Sequence, residues 1–196
     1  MKKLRIGVLG SGKGSNFKAI AAAIEAGQIA AEVALVVSDM SDAGILDFAK
    51  ERGIDARALP ASKFKTKLEP EIESLLVSWL KEARVELVVL AGYMRMIKAP
   101  LLEAFPSRIV NIHPSLLPNF PGLAAWKQAL DAGADETGCT IHWVDEGMDT
   151  GAVIAQQKVP VLSDDTAETL HARIQVAEHE LYPAVLAKLA ASLGAQ

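Results

Sequence analysis

Short apolar runs alternate along the chain with segments in which apolar residues recur at every third or fourth position. Residues 4–9 form an apolar run that is followed by helical spacing from Phe17 onward, and residues 33–38 form another that precedes a helical pattern over 43–52. Uninterrupted apolar strands that alternate with helices are typical of parallel sheets covered on both faces. The beginning of the chain therefore predicts βαβ units.

The alternation continues and then changes toward the end of the chain. Residues 86–92 include the run Leu87-Val88-Val89-Leu90-Ala91, which is too continuous for a half-exposed strand and predicts the central strand of the sheet. The other predicted elements are a helix over 70–83, a strand over 108–112, a short helix over 123–132, and two strands over 137–144 and 152–160 that pair as an antiparallel hairpin. A last helix follows, capped by Asp164 or Asp165 and with Thr166-x-x-Thr169 at its start. It bends at Pro183 and ends near Leu193.

The composition agrees with this pattern. Of the 196 residues, 51% are hydrophobic but only 5% are aromatic, so the core is expected to consist of aliphatic side chains. A chain of this length fits one domain and needs neither disulfides nor metals for stability. We expect residues 1–196 to form a single domain of the α/β class, with a Rossmann-like three-layer α/β/α architecture, a mostly parallel sheet and an antiparallel hairpin near the C-terminus.

Charge and cysteine content argue against several classes of function. The net charge of −4 provides no general attraction to nucleic acid or to an anionic membrane. No apolar stretch approaches the roughly 18–20 residues that a membrane span needs. Cys139 is alone and cannot form an internal disulfide, and Lys2 and Lys3 precede an apolar run that glycines interrupt too early for a signal peptide. We expect a cytoplasmic protein.

A glycine-rich loop joins the first strand to the first helix. In the sequence Gly10-Ser11-Gly12-Lys13-Gly14-Ser15-Asn16, glycines let the backbone approach a ligand, and free amides at the helix start favour a phosphate. The loop is neither a dinucleotide fingerprint, because Ser15 replaces the third glycine, nor a P-loop, because Gly14 follows Lys13. A tight turn without a ligand is the alternative. Asp39 lies about where NAD proteins hold the ribose, but without the fingerprint a turn or cap role is favoured.

Two further loops are candidates for ligand contacts. Lys63, Lys65 and Lys67 precede the helix over 70–83 and form either a solvated face or an anion contact. The segment Gly92-Tyr93-Met94-Arg95-Met96-Ile97 follows the central strand, and its apolar side chains either join the core or wall a flat ring system. We favour the second interpretation, because open α/β sheets bind ligands along the edge where their strands end.

The most informative stretch is Asn111-Ile112-His113-Pro114-Ser115-Leu116-Leu117-Pro118, at the end of the strand over 108–112. Alternate residues of an extended backbone point to the same side, so Asn111 and His113 can act on one ligand. An amide can donate to a developing oxyanion while an imidazole moves a proton, which suits acyl transfer. Asp149, in the polar turn of the predicted hairpin, could reach back to the imidazole. The alternative is that His113 is only a turn residue beside prolines.

The remaining reactive side chains favour structural roles. His171 and His179 lie on the last helix and His142 lies in a strand, where hydrogen-bonded structural histidines are common. The chain contains no histidine or cysteine spacing typical of a zinc site. Cys139 lies in the middle of a strand with no activating group near it in sequence, so a role as a nucleophile is disfavoured.

Four motifs of the chain resemble the phosphoribosylglycinamide formyltransferase family of folate-dependent enzymes. In chain order they are Gly12-x-Gly14-Ser15-Asn16, Leu90-Ala91-Gly92-Tyr93-Met94-Arg95, the octapeptide 111–118 with Pro121-Gly122, and Asp149-x-Gly151. The resemblance covers essentially the whole chain. The octapeptide is shared with methionyl-tRNA formyltransferases and formyltetrahydrofolate hydrolases, and by itself it indicates only the superfamily. The glycine loop and the length narrow the resemblance, because those relatives are expected to carry an additional domain.

The resemblance implies a single formyltransferase domain that transfers a formyl group from 10-formyltetrahydrofolate to the amine of 5'-phosphoribosylglycinamide in de novo purine biosynthesis. 10-Formyltetrahydrofolate would be the co-substrate, and no metal is expected. Asn111 would polarise the formyl oxygen, His113 would supply a proton as N10 departs, and Asp149 would orient His113 and favour its charged form. The implied partners are small molecules, with no nucleic acid and no membrane, and a homodimer is left open.

The resemblance also implies which residues bind the substrates. The phosphate and ribose contacts would be Gly14, Ser15, Asn16, Pro114, Gln175 and Glu178, and the folate contacts would be Lys67, Met94, Arg95, Met96, Ile97, Asn111, Val144, Asp145 and Asp149. Two positions depart from the family pattern. Lys13 stands where members of the family often carry Asn or Arg. Ala124-Ala125-Trp126 stand where members often carry histidines, and this difference changes the wall of the expected substrate site.

Two other functions stay open on the sequence. One is an enzyme of the same superfamily that formylates a different amine or hydrolyses the folate. The other is a Rossmann-like nucleotide-binding module without chemistry. Turnover of 10-formyltetrahydrofolate with and without 5'-phosphoribosylglycinamide would separate them.

Overall fold

The structure, a computed structural model, describes residues 2–194. Within that range the elements are, in chain order, β1 (Leu4–Leu9), α1 (Ser15–Glu25), β2 (Ala31–Ser38), α2 (Gly44–Lys50), β3 (Ala56–Ala58), α3 (Pro70–Glu82), β4 (Leu87–Leu90), α4 (Ala99–Ala104), β5 (Ile109–His113), α5 (Ala125–Asp131), β6 (Glu136–Trp143), β7 (Val153–Pro160) and α6 (Ala167–Leu193). None of the helices in this range has the length and apolar character needed to cross a membrane.

The strands described between residues 2 and 194 form one seven-stranded sheet in the order β3-β2-β1-β4-β5-β6-β7. The strands from β3 to β5 pair in parallel, whereas β6 pairs antiparallel with both β5 and β7. The expected mostly parallel sheet with an antiparallel hairpin is therefore confirmed. The strand from 86–92 lies near the centre of the sheet, as predicted.

Two aliphatic clusters cover the two faces of the sheet and explain the continuous apolar runs. On β4, Leu87 and Val89 pack in one cluster with α1, α2 and α6, while Val88 and Leu90 pack in the other with α3 and α4. Because side chains alternate between faces, a strand covered on both sides needs apolar residues at every position. This arrangement is the expected three-layer α/β/α architecture.

The last helix is fastened to the strand ends by a buried tyrosine. Tyr182 is fully buried on α6, and its hydroxyl lies 2.9 Å from the Leu90 carbonyl oxygen and 3.2 Å from that of Val110. A hydroxyl has one proton, so the two carbonyls share one donor. The contact joins α6 to β4 and β5 where both strands approach the candidate site.

Some local predictions were wrong or incomplete. α6 is capped by Thr166, which exchanges hydrogen bonds with Thr169, and not by Asp164 or Asp165. Asp165 instead accepts from the Leu162 amide and pairs with Arg173, which holds the pKa of its carboxyl well below the usual range. β3 and α4 were not predicted. Pro183 lies inside α6, which ends at Leu193 as predicted, and the bend at Pro183 stays a prediction.

Candidate active site

Three loops predicted to carry function meet at the carboxyl ends of β1, β4 and β5. The glycine loop follows β1, the segment 92–97 follows β4, and the octapeptide begins in β5, whose last residue is His113. Parallel pairing of β1 with β4 and of β4 with β5 places these ends side by side. The geometry therefore brings the candidate groups to one edge of the sheet.

His113 lies between two hydrogen-bond acceptors. Its Nδ1 is 3.3 Å from Oδ2 of Asp149, and its Nε2 is 2.9 Å from the carbonyl oxygen of Phe120. The side chain is almost fully buried. A carboxylate and a carbonyl can only accept, so the ring satisfies both neighbours only when both nitrogens carry protons. Both ring nitrogens of His113 therefore face groups that accept hydrogen bonds.

Asp149 is held by its own backbone turn and by a neighbouring loop. Its φ of 56° is in the left-handed region, which Asp tolerates better than most residues. Its Oδ2 accepts from the Gly122 amide at 2.9 Å, so the 120–124 loop contacts both members of the His113–Asp149 pair. Asp145 shapes the same turn by accepting from the Gly147 amide and the Thr150 hydroxyl.

His142 lies in the same group of side chains, although a structural role was predicted for it. Antiparallel pairing of β5 and β6 places it opposite Asn111, and its Nε2 is 3.2 Å from Nδ2 of Asn111 and 3.7 Å from Oδ1 of Asp149. Its Nδ1 donates to the Trp143 carbonyl at 2.8 Å. Burial lowers the pKa of His142, so the neutral ring has an Nε2 lone pair that accepts from the Asn111 amide. An explicit alignment of the two strands is the one signal that could have found it.

Side chains of the β6–β7 hairpin hold the octapeptide by hydrogen bonds. The Thr140 hydroxyl, fully buried on β6, donates to the Ser115 carbonyl at 2.6 Å and accepts from the Leu117 amide at 3.0 Å. Gln156 on β7 donates to the Leu117 carbonyl. Pro114 lies between His113 and this braced segment and is half-buried. These contacts set the path of the chain directly after the catalytic candidates.

The glycine loop meets the last helix through a buried pair. Asn16, 8% exposed, donates through Nδ2 to Oε2 of Glu178, 6% exposed, at 2.9 Å. Burial raises the pKa of Glu178 to about 7, and the Asn16 hydrogen bond opposes this shift. Gly14 has a φ of 73°, and a Cβ there would approach Ile45 to 2.8 Å, so this turn requires glycine. Ser15 begins α1, and Gln175 lies one turn before Glu178.

The segment after β4 is tied to the glycine loop by a buried ion pair. Arg95, whose side chain is 12% exposed, donates through Nε to Asp39, 3% exposed, at 2.5 Å. The Ser11 hydroxyl donates to the other Asp39 oxygen at 2.5 Å and accepts from the Met94 amide at 2.9 Å. Both carboxylate oxygens of Asp39 are therefore engaged by other side chains of the chain. Asp39 joins the two predicted substrate loops.

The other predicted folate contacts surround the same segment. Lys67 and Met96 form a parallel bridge, which places the lysine-rich loop beside the residues after β4. The Met94 side chain is exposed, whereas Ile97 and Tyr93 pack in the core. The side chain of Ile97 therefore joins the core, which was the alternative to lining a wall for a flat ring system. Val144 donates its amide to the Ile109 carbonyl and begins the turn that contains Asp145 and Asp149.

Among residues 2–194, no three His, Cys, Asp or Glu side chains are grouped as a metal site would require. Cys139 is fully buried, and burial raises the pKa of its thiol to about 12. Few such thiols ionise near neutral pH, so Cys139 is unsuited to nucleophilic chemistry. The side chains grouped at the sheet edge are an amide, two imidazoles and a carboxylate, which suit proton transfer and oxyanion stabilisation.

This combination of fold and site defines a class of acyl-transfer proteins, and the sequence model of the formyl transferase family matches residues 4–186. The chain belongs to the formyl transferase family. Phosphoribosylglycinamide formyltransferase of Bacillus subtilis (strain 168) is 42% identical over 189 residues, which are 96% of this chain and 95% of the relative.

A longer relative and two solved structures extend the comparison. Trifunctional purine biosynthetic protein adenosine-3 of Drosophila pseudoobscura pseudoobscura is 47% identical over 95% of this chain, but the match spans only 14% of that protein. Glycinamide ribonucleotide transformylase 1 from Symbiobacterium toebii has a TM-score of 0.92 at 44% identity, covering 97% of this chain and 89% of its own. The phosphoribosylglycinamide formyltransferase from Streptococcus pneumoniae TIGR4 has a TM-score of 0.86 at 45% identity, covering 96% and 99%. These similarities confirm the fold.

Proposed function

We propose that the protein transfers the formyl group of 10-formyltetrahydrofolate to the amine of 5'-phosphoribosylglycinamide, as a step of purine biosynthesis. The observation that carries the proposal is the position of His113 between Asp149 and the Phe120 carbonyl, next to Asn111 on the same strand. The names of the full-length relatives support the choice of acceptor. A folate is proposed as donor because the chain belongs to the formyl transferase family.

Formyl transfer requires one proton to leave the attacking amine and one to reach N10 of the folate. The amine adds to the formyl carbon, and the resulting oxyanion lies near the Asn111 amide. One hydrogen of that amide is held by His142, so the other is free for the oxyanion. The His113 imidazolium gives its proton to N10 as the carbon–nitrogen bond breaks. The neutral ring then takes up the proton that leaves the former amine nitrogen, which restores the imidazolium beside Asp149.

The proposed substrate contacts lie along the edge of the sheet formed by the carboxyl ends of β1, β4 and β5. Gly14, Ser15 and Asn16 would receive the phosphate at the start of α1, where amides point outward. Gln175 and Glu178 would contact the ribose and the glycinamide, together with Pro114. Met94, Arg95, Met96 and Ile97 would contact the pterin mainly through their backbone, with Val144 and Asp145 on its other side and Lys67 near the carboxylate tail.

We propose that residues 1–196 act as one formyltransferase domain in the cytoplasm. The groups named for binding and chemistry are residues of this chain, and a homodimer stays open. Sedimentation equilibrium would detect a homodimer.

Turnover of 10-formyltetrahydrofolate with and without 5'-phosphoribosylglycinamide tests the proposal. We expect turnover only with the amine, and we expect Asn111→Ala, His113→Ala and Asp149→Ala each to reduce kcat by about 10²- to 10⁴-fold. Asp131→Ala, an exposed carboxylate on α5, is the matched control and should leave kcat unchanged. Turnover without the amine would instead indicate a hydrolase, and binding without turnover would indicate a nucleotide-binding module.

A further inference from the structure

Two aromatic rings stack at the junction between α5 and α6, outside the groups assigned above. The ring centroids of Trp126 and His171 are 3.7 Å apart, and the ring planes are within 6° of parallel. Trp126 is the second residue of α5, and His171 lies in the second turn of α6. Stacked aromatic pairs contribute beyond the area they bury, so this contact fixes the relative position of the two helix starts.

The α5 side of the stack leads to the proposed catalytic groups. α5 begins directly after the 120–124 loop, whose Phe120 carbonyl contacts His113 and whose Gly122 amide contacts Asp149. Gln128, two residues after Trp126, donates to the Pro121 carbonyl at 2.9 Å and also to that of Leu123. The helix that bears Trp126 therefore holds this loop in place.

The α6 side of the stack leads to the proposed acceptor site. Nε2 of His171 lies 3.4 Å from Nε2 of Gln175, one helical turn further along α6. Burial lowers the pKa of His171, which favours the neutral ring. A neutral ring with an unprotonated Nε2 accepts from the Gln175 amide nitrogen, and this leaves Oε1 of Gln175 as the atom available to a ligand hydroxyl.

We propose that Trp126 and His171 are positioning residues for the acceptor, which hold Gln175 so that its carbonyl oxygen accepts from a ribose hydroxyl. The inference rests on the proposed function, because Gln175 is assigned to the ribose there. The stack with Trp126 holds the His171 ring in one orientation, and the ring in turn holds the Gln175 amide. The amide then needs no reorientation when the sugar binds.

Steady-state kinetics separate positioning from general support of the fold. We expect Trp126→Leu and His171→Leu to raise KM for 5'-phosphoribosylglycinamide about tenfold, the effect of losing one well-placed hydrogen bond. KM for 10-formyltetrahydrofolate should stay within about twofold of wild type. Trp126→Phe, which keeps a ring in the stack, should restore most of the affinity. Trp79→Leu, which removes a half-buried indole on α3, is the control and should not change either KM.

A double-variant comparison tests whether the stack acts through Gln175. If it does, His171→Leu should have no further effect on KM in a Gln175→Ala background, because interacting residues are not additive. Additive effects of the two substitutions would overturn the proposal. So would a KM for 5'-phosphoribosylglycinamide that stays within about twofold of wild type in both leucine variants.

A spectroscopic titration keeps the inference testable if formyl transfer is not observed. In proton NMR the indole ring current should shift the His171 ring resonances upfield, and Trp126→Leu should abolish this shift. Adding ribose 5-phosphate to the wild-type chain should move the same resonances as Gln175 engages the sugar, and Gln175→Ala should prevent the movement. Absence of turnover would refute the proposed function alone, whereas resonances that do not respond to ribose 5-phosphate would refute the role of the stack.

Discussion

Replacing Glu178 by Gln should stabilise the protein while weakening its proposed acceptor site. Glu178 is 6% exposed and its described polar partner is the Asn16 amide, so its charged form is poorly solvated. Burial raises its pKa from 4.5 to about 7. The folded protein therefore binds a proton that the unfolded chain releases between these pH values, and the free energy of unfolding falls as the pH rises through that range.

The size of the effect follows from the shift in pKa. At about 1.4 kcal/mol for each pH unit, the ionised carboxylate costs about 3 kcal/mol of stability at pH 8.5. Glutamine has no charge to desolvate, and its carbonyl can still accept from Asn16. We expect Glu178→Gln to raise the free energy of unfolding by about 2–3 kcal/mol at pH 8.5, with Tm higher by roughly 5–10 °C. At pH 5 most of the difference should disappear, because the wild-type carboxyl is then protonated.

Urea denaturation of both proteins at pH 5 and pH 8.5 measures this difference. Glu180→Gln is the matched control, because Glu180 is an exposed carboxylate two positions further along α6 that accepts a hydrogen bond from the Gln157 side chain. That variant should change stability by less than about 0.5 kcal/mol at either pH. The reasoning would be refuted if Glu178→Gln were no more stable than wild type at pH 8.5, or if its advantage did not depend on pH. Calorimetry with 5'-phosphoribosylglycinamide should show weaker binding by the stabilised variant.

Two further substitutions probe contacts that hold the strand ends. Tyr182→Phe leaves the Leu90 and Val110 carbonyls without their shared donor, and it should cost about 1–3 kcal/mol in urea denaturation; a cost below about 0.5 kcal/mol would contradict this role. Asp39→Asn removes the charge that faces Arg95, so it should lower stability by about 3 kcal/mol and raise KM for 10-formyltetrahydrofolate. Asp42→Asn, which changes an exposed carboxylate, is the control and should have neither effect. A KM for the folate that is unchanged in Asp39→Asn would show that the ion pair does not position the segment after β4.

The longer elements and the central position of β4 were predictable because their signal is local. On β4, successive apolar residues face opposite clusters, and this doubly covered environment is what an unbroken apolar run indicates. The elements that were missed, β3 and α4, span three and six residues, too few for a periodic pattern. They depend on tertiary partners: β3 pairs with β2, and the amide at the start of α4 donates to Glu73 of α3.

The helix cap was misjudged, and the neighbours of His142 were not predicted, for a related reason. Asp164, Asp165 and Thr166 are all suitable caps, and the choice among them was decided when Arg173 paired with Asp165. His142 lies in a strand of apolar neighbours, and only the antiparallel register of β5 and β6 places it opposite Asn111. A residue type that suits two roles is assigned by its partners, which lie elsewhere in the chain.

The sequence by itself determined which residues are able to carry the chemistry and which strand ends they follow. Asn111 and His113 face the same way because they alternate on a strand, and this holds in any fold that keeps the strand. The tertiary structure alone decided the hydrogen-bond partners of these groups and their loss of water. His113 lies between two acceptors, His142 donates on one side and accepts on the other, and Glu178 loses its water against Asn16, 162 residues away. Propensity acts over a few residues, whereas hydrogen-bond partners and desolvation depend on groups that only folding brings together.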